Sequence, residues 1–181
     1  MNYFMDFSSV FNLIMGAATI IAQVGIIFLL GYLITGKPAA VGRLTENQEM
    51  AAAFTVALIA TAGSLTYSEI LGFEPCVLCW WQRIFMYPQV ILLGVAAVKR
   101  EKMISDYAII LAVIGAVIAL YHYLLQVGAA PTVACSIVGY SVDCAETFGM
   151  RFGYITIPMM ALTAFILIAV ILSLNKKARL E

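Results

Sequence analysis

Tyr107-Ala108-Ile109-Ile110-Leu111-Ala112-Val113-Ile114-Gly115-Ala116-Val117-Ile118-Ala119-Leu120-Tyr121-His122-Tyr123-Leu124-Leu125-Gln126-Val127 contains no Asp, Glu, Lys or Arg. A helix rises about 1.5 Å per residue, so about 20 mostly apolar residues are needed to cross the hydrocarbon core of a bilayer. Residues 107–127 therefore read as a membrane span. Four more apolar runs of comparable reach lie on either side, at Val10–Ile34, Met50–Tyr67, Cys79–Val98 and Ile155–Leu174. The whole chain has 181 residues, 64% hydrophobic and 11% charged, too few charges to cover the surface of a water-soluble domain. The expected fold is an all-α integral membrane protein with five transmembrane helices and no separate soluble domain. The first run is too long for the apolar region of a signal peptide, and Asp6 precedes it where basic residues belong, so it reads as a retained helix.

Charge orients these spans. Lys37 and Arg43 follow the first, Lys99, Arg100 and Lys102 follow the third, and Lys176, Lys177 and Arg179 end the chain. The alternate loops carry Glu69, Glu74, Asp143 and Glu146, with Arg151 as their one basic residue. Lys and Arg concentrate on the cytoplasmic side, which places the N-terminus outside and the C-terminus inside. All four cysteines then face away from the cytoplasm, where disulfides form and persist. The formal net charge of +0 says nothing about partners, and nothing in the sequence suggests nucleic-acid binding.

Chemistry concentrates in Pro75-Cys76-Val77-Leu78-Cys79-Trp80-Trp81-Gln82-Arg83. Cysteines three apart at a helix start share a face and are able to close a short disulfide. The positive end of the helix dipole favours thiolate, the form that attacks and leaves in disulfide exchange. A purely structural bridge there would gain little, because its loop is so short. Arg83 follows Cys79 by four residues, about 6 Å deeper by helix rise. An arginine inside a span costs a few kcal/mol on insertion scales (about 2.5–3.5) unless it snorkels to the headgroups. The alternative to snorkelling is a role beside Cys79, stabilising a thiolate or a reduced acceptor.

His122, the one histidine, lies about 7.5 Å below the outer end of its span, in the same layer as Arg83. It reads either as a packed, hydrogen-bonded histidine or as a group that binds a carbonyl and supplies protons. Gln126, one turn outward, is a candidate for the same pocket. Trp80, Trp81, Tyr87 and Tyr123 fit an interfacial belt, and Trp80 also suits the wall of a flat ring ligand. Gln23 in the first span is expected to bond a neighbouring helix, small residues in the second and fourth spans to line close contacts, and Pro158 to kink the last helix. Cys135 and Cys144 fall in the loop between the last two spans. Two cysteine pairs admit a relay, two structural staples or a four-cysteine zinc site. The zinc reading is set aside, because the spacing is not that of a zinc knuckle pair and Arg83 would oppose a cation.

These motifs resemble the DsbB/BdbC family of disulfide-bond formation membrane proteins. The resemblance rests on Glu74 through Arg83, on Tyr121-His122-Tyr123-Leu124-Leu125-Gln126, on the Cys135 and Cys144 pair, and on Gly153-Tyr154-Ile155-Thr156-Ile157-Pro158. It implies a four-helix redox bundle over residues 49–181, with residues 1–48 supplying an additional N-terminal transmembrane helix and a linker. It also implies a multi-pass protein of the bacterial cytoplasmic (inner) membrane. The implied activity is a dithiol:quinone oxidoreductase that reoxidises an extracytoplasmic thioredoxin-like oxidase (DsbA- or BdbD-like). The implied cofactor is ubiquinone or menaquinone. By the same resemblance Cys135 receives the partner, Cys144 exchanges with Cys76, and Cys79 with Arg83 faces the quinone. His122, Gln126 and Trp80 then belong to the quinone pocket. A vitamin K epoxide reductase-like enzyme is the neighbouring alternative, although that family places its Cys-x-x-Cys late in its core. A non-catalytic scaffold with structural disulfides is the alternative from another class, and it leaves Arg83 unexplained.

Overall fold

The computed structural model describes residues 2–35, 46–101, 103–130, 144 and 152–178. They form five helices: α1 (Asn2–Thr35), α2 (Glu46–Leu65), α3 (Val77–Lys99), α4 (Ile104–Gln126) and α5 (Ile157–Ala178). All five are long and apolar enough to cross a membrane, as the hydropathy pattern predicts. The chain is an all-helical membrane bundle.

Helices α2, α3, α4 and α5 pack in a ring, each against the next and α5 back against α2, while α1 lies outside it along α5. Small residues make this closeness possible, as the sequence pattern anticipates. Ala53 and Ala57 of α2 and Ala108, Ala112 and Ala119 of α4 are fully buried against Leu93, Phe165 and Ile168. In lipid, packing of this kind replaces water exclusion as the force that associates helices. Gly115 is the tightest point, since a Cβ there would overlap the ring of Phe165, itself fully buried. Gly115→Ala is therefore expected to destabilise the bundle by about 1–3 kcal/mol, the usual cost of overpacking. A lowered thermal midpoint of the detergent-solubilised protein would register it, and an unchanged midpoint would mean the α4–α5 contact adapts.

Gln23 makes the interhelical contact expected of it. Its amide nitrogen donates to Thr163 Oγ1 of α5 at 3.2 Å, and its carbonyl accepts from the Tyr154 hydroxyl at 2.7 Å. Near the other end of α1, Asn12 Oδ1 accepts from the Tyr67 hydroxyl at 2.7 Å, and Phe11 meets the same ring edge-on. Polar pairs like these fix the register of one apolar helix on others.

Two local features place the cysteines. The end of α2 widens into a π-helical turn, Thr66–Ile70, which keeps Tyr67 buried. Gly72 follows at φ +72°, a conformation open to glycine because it has no Cβ, and brings the chain round to Pro75. Helix α3 then starts at Val77 with Cys76 as its N-cap, whose sulfur accepts from the Cys79 backbone N–H at 3.4 Å. Pro158 is the second residue of α5. In a first turn the missing N–H removes no intrahelical bond, so the kink expected there has no cause. The proline in a helix interior is Pro88 of α3.

Candidate active site

Cys76 and Cys79 are both free thiols, with their sulfurs 3.1 Å apart. At that distance one thiol hydrogen-bonds to the other sulfur. With Cys76 ionised, the Cys79 thiol is the donor of that bond. The Cys79 thiol, His122 and the Cys79 backbone N–H together outweigh burial and pull Cys76 down from 9.0 to about 4. Cys76 is thus the sulfur of the pair more readily held as thiolate. The sequence places both cysteines on a helical face; the structure puts Cys76 one residue before the helix, where its sulfur takes one of the N–H groups left unpaired in the first turn.

His122 is buried and sits between Cys76 and Cys144. Its Nε2 is 3.6 Å from Cys76 Sγ and 3.2 Å from the backbone oxygen of Cys144, and its Nδ1 is 3.0 Å from Gln82 Nε2. With the Gln82 amide nitrogen donating to Nδ1, the hydrogen-bond network assigns the proton to Nε2. That N–H then points at Cys76 Sγ and at the Cys144 carbonyl. Gln82, also buried, is a positioning residue the sequence reading passed over, although its place three residues after Cys79 puts it on the same face.

Cys144 is disulfide-bonded and buried, in one apolar cluster with Cys76, Leu78 and Leu125. Cys135 lies outside the described residues. Cys76, Cys79 and His122 bring three donor atoms within 4.8 Å of one another, a set able to take a metal ion. Cys144, as a disulfide, supplies no thiolate to make that set a four-cysteine site.

Arg83 is buried. Its Nε donates to Ser64 Oγ at 3.1 Å and its Nη2 to the Ser64 backbone oxygen at 3.2 Å. Tyr87 donates to the same hydroxyl at 3.3 Å. Among the described residues no carboxylate pairs with this guanidinium. It does not snorkel; α2 anchors it at depth. Ser64 carried no signal beyond being small, because only the packing of α2 on α3 brings it to Arg83.

Arg83, Cys79, Cys76, His122, Gln126 and Cys144 all line one cavity of about 440 Å³. Most of its remaining wall is apolar, from α1, α2 and α5. Trp80 is not on that wall: it is half exposed, with its ring 5.0 Å from the Arg83 guanidinium in a cation–π contact. Tyr87 is the aromatic residue of α3 that does line the cavity.

A deep apolar pocket with a few convergent polar groups and a reactive dithiol defines a membrane redox protein. The family model of the disulfide bond formation protein DsbB matches residues 46–175. The probable disulfide formation protein C 1 of Bacillus anthracis is 50% identical over 128 residues, covering 69% of this chain and 91% of that relative. The disulfide bond formation protein C of Bacillus subtilis (strain 168) is 44% identical over 135 residues, covering 72% and 94%. No solved structure matches the chain. The chain belongs to the DsbB family and has a role in disulfide bond formation.

The thiolate assignment has a measurable consequence. Alkylation of Cys76 is expected to stay fast down to about pH 4, below which the sulfur is protonated and unreactive. Cys79→Ala removes the largest cause and should move the midpoint upward; Gln82→Leu, which releases the His122 tautomer, should move it less. Peptide mass spectrometry after pulsed iodoacetamide at stepped pH gives each midpoint. A wild-type midpoint in the ordinary thiol range would overturn the assignment.

Proposed function

We propose that the protein is a membrane thiol oxidase. It takes electrons from an extracytoplasmic thioredoxin-like dithiol protein and passes them through two cysteine pairs to a membrane quinone. The observation that carries this reading is the position of His122, whose Nε2 reaches both Cys76 of one pair and the main chain of Cys144 of the other. Two staples would not need a histidine between them.

The residues fit a quinone. The cavity volume lies within the ordinary range for small-ligand sites, about 300–1,000 Å³, and its apolar walls suit a ring and an isoprenoid tail. Arg83, buried without a carboxylate, offers positive charge where a reduced ring oxygen would develop negative charge. A quinone bound there accepts two electrons and two protons and leaves as quinol. The chain's own groups do the rest. The partner's thiolate attacks Cys135 of the Cys135–Cys144 disulfide and its second thiol releases it as a disulfide. Cys144 thiolate then exchanges into the oxidised Cys76–Cys79 pair at Cys76, leaving Cys79 as thiolate at the cavity wall; Cys135 thiolate attacks Cys144, restoring the Cys135–Cys144 disulfide and releasing Cys76, so the electron pair rests on the reduced Cys76–Cys79 pair. His122 holds a proton at Nε2 beside the attacked sulfur, and Gln82 keeps it there.

The N-terminus lies outside and the C-terminus in the cytoplasm of a bacterial inner membrane, with the cysteines on the outer side. Residues 49–181 form the redox domain.

Mixing the purified protein with a reduced thioredoxin-like partner tests the reading. With no quinone, partner oxidation should stop after about one or two equivalents; added quinone should make it catalytic, since each cysteine pair can turn over only if it is reoxidised. Catalytic oxidation indifferent to quinone would refute the acceptor.

A further inference from the structure

Helix α1 lies outside the family match, which begins at residue 46, yet it lines the redox cavity through Met15, Ala18, Thr19, Ile21 and Ala22. Its packing is one-sided. It runs along α5, and α1 and α2 are not among the closely packed helix pairs of the described residues. Near the outer end the two are tied, by Phe11 and Asn12 to Tyr67 and by Met15, whose Cε reaches within 2.7 Å of where a Cβ on Gly63 would stand. Below that tie both helices line the cavity. Ala18 and Ile21 of α1 and Ile59 of α2 line the cavity and are exposed on the lipid side, with Ala22 and Ala60 beside them. A cavity wall that is also lipid-exposed marks an opening.

We infer that α1 and α2 are the two lips of a lateral mouth through which the apolar tail of the acceptor passes from the cavity into the bilayer, so that α1 sets which tails the protein accepts. The inference deepens the quinone reading and rests on it. From the Ser64 level of Arg83 to Val56 on α2 is about 12 Å by helix rise, room for the first isoprene units of a tail below a ring held at Arg83. The lips are small or aliphatic. Met15 closes the outer end, so the tail leaves at depth, where lipid tails lie. Gln23, bonded to both Thr163 and Tyr154, holds the α1 lip in place.

The test uses the full-length protein with two probes: a ubiquinone ring without a tail and the same ring carrying a decyl chain. Binding is read by quenching of Trp80 and Trp81 fluorescence, the only tryptophans in the chain, and KM by quinol formation. Ala22→Phe and Ala60→Phe narrow the mouth from opposite lips; Ile27→Phe, on the lipid-facing side of α1 and off the cavity, is the control. The lip variants should weaken binding of the decyl probe about tenfold and raise its KM in step, an effect the size of a steric penalty in an apolar pocket. The tail-less ring should bind them as it binds wild type, which also shows that they fold. Equal loss for both probes, or no loss in either lip variant, overturns the mouth while leaving the quinone reading intact. Wild type quenched by neither probe overturns both.

Discussion

Arg83→Met is expected to lower quinone reduction by about 10²–10³-fold, the usual loss when a preorganised charge-stabilising group is removed from a water-excluded site. Methionine keeps the apolar bulk of the side chain but gives up the guanidinium held by Ser64. Exchange between the partner's thiols and the protein's disulfides should stay within about threefold, because the Arg83 guanidinium is held on Ser64 and its effect falls on the acceptor step. Arg83→Lys keeps the charge without the two-pronged bond to Ser64 and should recover part of the rate. Stopped-flow absorbance of the quinone, beside a gel assay of partner oxidation, separates the two steps. A variant that loses both equally would mean that Arg83 holds the bundle together and takes no part in the acceptor step.

The second large effect divides the cysteines of the helix pair. Cys76→Ser and Cys79→Ser should each bring quinol formation down to the rate without protein, because neither leaves a pair that can cycle. They should differ in what accumulates. Cys76 shares a buried cluster with Cys144, and Cys79 packs only at its edge. Cys79→Ser therefore keeps the sulfur that exchanges with the second pair: its Cys76 thiolate attacks Cys144 of the Cys135–Cys144 disulfide, Cys135 leaves as thiolate, and a bond between Cys76 and Cys144 should accumulate. Cys76→Ser should accumulate none. Non-reducing peptide mapping of the purified variants, before any partner is added, distinguishes them, and the reverse pattern would exchange the roles of Cys76 and Cys79.

The spans were legible because hydrocarbon thickness leaves little freedom: apolar runs of the required length announce themselves, and all five became helices. Arg83 and His122 were legible as one layer, with Cys76, Cys79 and Gln126 about a turn outward, since counting residues from a helix end measures depth. What depends on neighbours was not. Ser64 reads as one small residue among many on α2, and only the docking of α3 makes it the anchor of Arg83. Gln82 differs from Arg83 by one position, which turns it toward His122. Trp80 has the chemistry of a pocket wall, yet its place on the helix turns it outward, where its ring covers the guanidinium. The π-helical turn at Thr66–Ile70 leaves no compositional trace. Helix α1 hides its role most completely. It is apolar on every side, so no stripe marks the face that meets the cavity.

Where the electrons go decides what this protein does. Quinol formed is counted against partner disulfide formed, anaerobically, with purified protein and a reduced thioredoxin-like partner. One quinol per disulfide is expected, sustained over many turnovers. Partner thiols that exchange or oxidise while the quinone stays oxidised would contradict it and leave an isomerase or reductase as the reading.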